Sequence, residues 1–214
     1  MVGSQKPRLP EEDALFLPGL RASNIWYGHE GSVMWMQSEL PEGFAQVMAE
    51  QGLAQSYETS GWCFVEAAIS AGLKLGTRRL DLSKRTKRAM DFAYGGRWVT
   101  EAMLEGVCAA ARPLPMLPDE VQSLLETEKK FTAKADISIV DRLYRTFFNG
   151  VTASATCLGF GGLAWGDTEG LRLFEVLPYF RSLTALDLSK NNLGASASIG
   201  LAKYLEGSSL TSVR

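Results

Sequence analysis

The run Leu183-Thr-Ala-Leu186-Asp-Leu188-Ser-Lys-Asn191-Asn-Leu193-Gly194 fills every slot of the pattern L-x-x-L-x-L-x-x-N-x-L. Leu186 and Leu188 alternate as the buried face of a short strand does. Asn191 falls where the chain leaves that strand and backbone groups need a side-chain partner. Working outward, aligning Gly166 with Gly194 places Trp165 on Leu193, Phe160 on Leu188 and Leu158 on Leu186, an offset of 28 residues. In the other direction Leu210 and Val213 echo Leu183 and Leu186 at an offset of 27. The intervening segments, Thr168 to Phe180 and Ser196 to Leu205, read as helices.

Strand-plus-helix units of this length resemble leucine-rich repeats of the ribonuclease-inhibitor type over residues 155–214. The first copy departs from the pattern, with Ala155 for a leucine and Leu163 in the asparagine slot, as a cap that joins a different surface does. The resemblance implies the start of a solenoid in residues 151–214, about two units and a partial third. It also implies a protein partner bound through the concave face, carried by Thr184, Ala185, Asp187 and Ser189. A last unit without a cap would leave Leu193, Ile199 and Leu205 partly uncovered. The expectation is therefore a fragment of a longer repeat protein, or an open end covered by another chain.

Upstream, residues 1–150 read as a separate α/β domain. Pro10-Glu-Glu-Asp13 starts a helix toward Tyr27 that Pro18-Gly19 should bend or interrupt. Ser32–Gln37 is a short apolar run expected to be a buried strand. After the Leu40–Gly43 turn comes a short helix near 44–51. A helix capped by Thr59 or Ser60 reaches Leu73, and Arg79–Leu82 is a second strand. An Ala-rich helix is expected from Trp98 to Ala111, an extended connection through Pro113, Pro115 and Pro118, and a helix from Asp119 to Thr127. A longer amphipathic helix carries Ile137, Val140, Leu143, Tyr144, Phe147 and Phe148 and should stop at Gly150.

A formal charge of −2 and 46% hydrophobic residues describe a globular chain without a global pull toward nucleic acid. No apolar run approaches the roughly 20 residues of a membrane span, and the N-terminus lacks a signal-peptide core. Cys63, Cys108 and Cys157 are odd in number and far apart, which predicts reduced thiols and a cytoplasmic protein. A lone His29 without close cysteine pairs gives no zinc pattern. No cofactor is called for.

The segments Asn24-Ile-Trp26-Tyr27, Val33-Met-Trp35, Leu40-Pro-Glu-Gly43 and Ser60-Gly-Trp62-Cys63-Phe-Val-Glu66 resemble a region of large proteins from unicellular algae and related protists. There it precedes repeats of the same type. A remoter similarity is to TIR and heterokaryon-incompatibility domains, in which a Ser-x-x-Trp-Cys-x-x-Glu-like motif opens a helix beside a nucleotide site. That resemblance implies an incomplete, N-terminally truncated TIR-like α/β domain. In NAD-cleaving TIR domains the glutamate is catalytic, and Glu66 is the matching residue. Such a hydrolase would be inactive in truncated form. The plainer reading of Glu66 is a boundary carboxylate paired to Arg or Lys; a cleft or a salt bridge at Glu66 separates the two.

Arg78, Arg79, Lys84, Arg85, Lys87 and Arg88 form the one basic cluster, a candidate phosphate or nucleic-acid patch whose plainer reading is a solvated loop. Gly159-Phe-Gly161-Gly162 lacks the Gly-Lys-Ser/Thr ending of a phosphate loop and reads as a repeat turn. No hydrolase triad forms around His29. Trp26, Tyr27, Trp35 and Trp62 sit at spacings that suggest core rather than a ligand pocket.

Overall fold

A computed structural model of the chain describes residues 9–74, 76–85 and 100–214. Helix and strand are mixed, and the strands form two small parallel sheets. The first sheet pairs β1 (Met34–Met36) with β2 (Arg79–Asp81), Trp35 opposite Leu80. The second has the order β3 (Cys157–Gly159), β4 (Ala185–Asp187), β5 (Ser212–Val213).

Helix α1 (Pro10–Gly28) runs through Pro18 without interruption, so the expected break is absent. Proline removes one backbone bond from a long helix whose other bonds remain. Strand β1 corrects the second expectation. Met34 and Met36 are buried but Trp35 is 65% exposed, so this strand has one solvent face. Gly43 adopts a φ of 78°, left-handed, and starts α2 (Phe44–Glu50). Helix α3 (Gly61–Leu73) is capped by Ser60, whose hydroxyl accepts from the Cys63 amide. Thr59 instead holds the preceding turn, accepting from the Gln55 and Ser56 amides. This helix packs on α1 and supplies Val65, Ala68 and Ile69 to the core.

Thr100 caps α4 (Glu101–Cys108). The helix stops short of Ala111 because Ala109 and Ala110 turn back to pair with β2, the Ala110 amide donating to the Arg79 carbonyl at 2.8 Å. The upstream part of that expected helix, with Gly95 and Gly96, lies outside the described residues. Helix α5 (Pro118–Thr127) follows the proline connection, and α6 (Asp136–Ser154) packs against α3 and α5. Gly150 does not end α6. It is exposed, with open space around it, while Val151 and Thr152 beyond it still pack inward. The boundary drawn at 150/151 therefore falls inside a helix.

From Ala155 onward the chain alternates strand and helix, with α7 (Asp167–Val176) and α8 (Ala195–Leu205) packed together. Leu158 pairs with Leu186 and Leu186 with Val213, the same residues that the 28- and 27-residue offsets equate. Two contacts repeat at those offsets. The Thr184 hydroxyl donates to the Thr156 carbonyl, and the Thr211 hydroxyl to the Thr184 carbonyl, each at 3.1 Å. Asn191 closes the unit with four bonds. Its Nδ2 donates to the Phe160 and Leu188 carbonyls at 2.7 and 2.9 Å, and its Oδ1 accepts from the Leu163 and Trp165 amides at 3.0 and 3.1 Å. Asp167 Oδ1 accepts from the Gly194 amide at 2.6 Å and the Ala197 amide at 3.2 Å, so the first unit caps the second unit's helix.

One hydrophobic cluster runs from Val65 and Ile69 through Val140, Tyr144 and Trp165 to Leu186 and Ala197. Among the described residues, three cations are buried with neutral acceptors. Lys74 Nζ donates to the His29 carbonyl and to both oxygens of Ser32. Arg79 donates to Ser70 Oγ and to the Ala111 and Ala67 carbonyls. Arg112 donates to the Ala71, Gly72 and Gly159 carbonyls, and its guanidinium lies 4.3 Å from the Phe160 ring centre. The two arginines thus satisfy carbonyls in the C-terminal half of α3, where the helix dipole favours positive charge. No described helix is long and apolar enough to cross a membrane.

Candidate functional site

The N-terminal turn of α3 forms one wall of a cleft of about 500 Å³, and β1, α2 and the Lys130–Thr132 loop complete it. Local backbone pairing fixes that loop. Lys130 donates its amide to the Thr59 carbonyl at 2.8 Å, and the Gly61 amide donates to the Lys130 carbonyl at 3.0 Å. The pairing lays the Phe131 ring directly over Gly61, where an added Cβ would stand 1.9 Å from the ring. Glycine is required there by close approach. Trp62 is anchored by its indole N–H, which donates to Asp136 Oδ2 at 3.0 Å.

Glu66 lines this cleft, and among the described residues no cation forms an ion pair with it. Among the described residues the structure holds a cleft and no salt bridge at Glu66. Burial raises the Glu66 carboxyl above its ordinary value, partly offset by a hydrogen bond from Tyr27. Burial and the bond to Glu66 together push the Tyr27 phenol up to about 12. Tyr57, also in the lining, is raised by burial and by its neighbours Cys63 and Glu66. Burial raises the Cys63 thiol too, so it stays protonated at neutral pH and is not an activated nucleophile.

The aromatic residues correct another expectation in part. Tyr27 and Trp62 pack against the hydrophobic cluster and also line the cleft, whereas Trp35, also in the lining, is 65% exposed and Trp26 is 72% exposed. Phe44, Met48, Tyr57 and Phe131 join them. Nothing in the sequence flagged Phe44, Met48 or Phe131, because they reach the site from two other elements.

The basic cluster does not form a single outward patch. Arg79 is 2% exposed, with its guanidinium turned inward onto α3 carbonyls, and burial lowers it to about 10. The Lys84 ammonium donates to the Ala109 carbonyl at 2.6 Å. Arg78 is partly buried, Arg85 is exposed, and Lys87 and Arg88 lie outside the described residues.

On the second sheet Ala185, Asp187 and Ser189 alternate with the buried Leu186 and Leu188, while Thr184 is exposed at the strand's start. The pairing sets Ala185 between Cys157 and Ser212, and places Gly159 beside Asp187. Asp187 Oδ1 accepts from the Ser189 amide at 2.9 Å; hydrogen bonds from Ser189 hold this carboxyl below its ordinary value. Gly162 turns the chain with a φ of 69°, and Lys190, its equivalent one unit on, has a φ of 56°. The glycine-rich run is thus a turn, with a left-handed residue 28 positions on at Lys190. His29 bonds locally, its Nδ1 accepting from the Gly31 amide. No group of metal-ligating side chains occurs among the described residues. No protein-family model, curated protein or solved structure matches the chain.

Proposed function

We propose that the chain is a protein-interaction module of the leucine-rich-repeat type, which binds its partner across the outward face of β3, β4 and β5. The carrying observation is the regular pairing at 28 and 27 residues, with the Thr184-to-Thr156 and Thr211-to-Thr184 bonds repeated at the same offsets. Successive units related by a small displacement are the basis of solenoids, whose strand faces make extended binding surfaces. Ala185 and Asp187 sit at the middle of this face. An arginine at either position places a long charged side chain across it, while the leucines beneath keep their contacts. Ala185→Arg and Asp187→Arg are expected to lose the proteins that the parent chain retains in a quantitative pull-down, with helical circular dichroism unchanged. Retention of the same partners by both variants overturns this reading.

A second reading has its own observation: Glu66 faces a cleft and has no ion pair among the described residues. On the TIR-like resemblance this carboxylate supports cleavage of NAD at its nicotinamide bond by water. A version of the chain extended N-terminally and incubated with NAD is expected to release nicotinamide, and Glu66→Gln to abolish the release. No release from the chain, together with none from the extended version, removes the reading.

A further inference from the structure

We propose that the Glu66 cleft binds a small organic cation of the quaternary-ammonium class, held against aromatic faces with Glu66 as its counter-ion. Six rings from five separate parts of the chain line the cleft: Tyr27, Trp35, Phe44, Tyr57, Trp62 and Phe131. Met34, Met36 and Met48 add polarisable thioethers. An aromatic face attracts a cation, more strongly as water is excluded, and several rings around one methylated ammonium act together.

The charge inventory decides the sign of the ligand. Among the described residues of the lining, only Glu66 and Lys130 are charged. Lys130 is exposed, whereas Glu66 is partly buried, with the neutral Tyr27 phenol as its hydrogen-bond partner. The nearby buried cations do not serve the cleft. Arg79 spends its donors on Ser70 and the Ala67 and Ala111 carbonyls, and Lys74 on His29 and Ser32. A phosphate or carboxylate entering here would meet the Glu66 carboxylate with one exposed lysine to offset it. A compact cation meets a carboxylate that has no ionic partner among the described residues. A volume of about 500 Å³ accommodates a trimethylammonium head and a short chain with room to spare.

The proposal is independent of partner binding by the second sheet and of any bond cleavage, since its readout is binding alone. The full chain is titrated with choline by calorimetry and tryptophan fluorescence. A parallel titration uses choline's uncharged carbon isostere, in which a tert-butyl group replaces trimethylammonium. Choline is expected to bind at least tenfold more tightly than the isostere. Glu66→Gln is expected to lose at least tenfold in choline affinity, and Trp35→Ala to weaken it severalfold. Trp35 is 65% exposed, so its removal leaves the fold intact; thermal melts of both variants check this. Equal binding of choline and isostere overturns the proposal, as does parental affinity in both variants, or no choline binding at tens of millimolar. Nicotinamide release without choline binding sustains the hydrolytic reading and removes this one. Choline binding, with no nicotinamide release from the chain or from its N-terminally extended version, does the reverse.

Discussion

Glu66 is where stability and use oppose each other most directly. Its carboxyl is partly buried, and burial outweighs the Tyr27 hydrogen bond, so its proton is held more tightly in the folded chain than in the unfolded one. Above pH 4.5 the unfolded chain loses this proton while the folded chain still keeps it, until the folded value is passed. Over that window the folded state binds more protons, and stability falls as pH rises. A glutamine has nothing to titrate and can still accept from Tyr27. Glu66→Gln is therefore expected to be more stable than the parent at neutral pH. The gain should shrink on acidification and vanish below pH 4.5. Each unit by which the folded value is raised is worth about 1.4 kcal/mol at the plateau. Urea titrations of both chains between pH 3.5 and 7.5 measure it. A gain that grows toward low pH, or none at neutral pH, contradicts the assignment of Glu66 to a desolvating cleft. The same variant serves the cation test, and its expected stability separates lost binding from lost folding.

At the scale of elements, local chemistry was legible and long-range assembly was not. The Ser60 cap, the Gly43 turn and the span of α3 follow from neighbours in sequence, and so do the strand around Leu186 and the place of Asn191. Asn191 could be assigned a satisfying role because its partners Leu163, Trp165 and Leu188 lie in the repeat register. Where the expectations failed, a distant partner decided the outcome. The sequence places a stop at Gly150, but Thr152 beyond it packs inward and its carbonyl accepts from the Arg181 amide at 3.1 Å. Arg79 read as part of a basic surface because neighbouring positions are basic. Its actual partners, Ser70 and Ala111, lie 9 and 32 residues away. The site was half visible. The Trp62–Glu66 stretch marked one wall, whereas Phe44 and Phe131 came from elements whose relation to α3 no local pattern encodes.

At the scale of the molecule, the two parts read from the sequence share one core, and Arg112 is the side chain that joins them. Its Nε and Nη2 hold the Ala71 and Gly72 carbonyls at the end of α3 at 2.6 and 2.8 Å. Its Nη1 donates to the Gly159 carbonyl at the end of β3, and its plane lies over Phe160, the residue after that strand. It is 5% exposed, and burial lowers it to about 10. A planar fork is needed for this. A lysine presents a single nitrogen at the end of a flexible stem and cannot reach carbonyls on two elements while stacking on a ring. With the hydrophobic cluster continuous from Val65 to Ala197, the chain is expected to unfold in one transition, fluorescence and far-ultraviolet circular dichroism coinciding in urea. Arg112→Lys leaves at least one buried carbonyl unpaired, at about 1–3 kcal/mol each, and loses the ring contact. It should lower stability by about 2–4 kcal/mol and keep the single transition, because the cluster around Val140, Leu158 and Trp165 remains. Two separated transitions in the parent chain would show that residues before and after Ala155 fold as independent units. A neutral Arg112→Lys would show that the guanidinium does not join them.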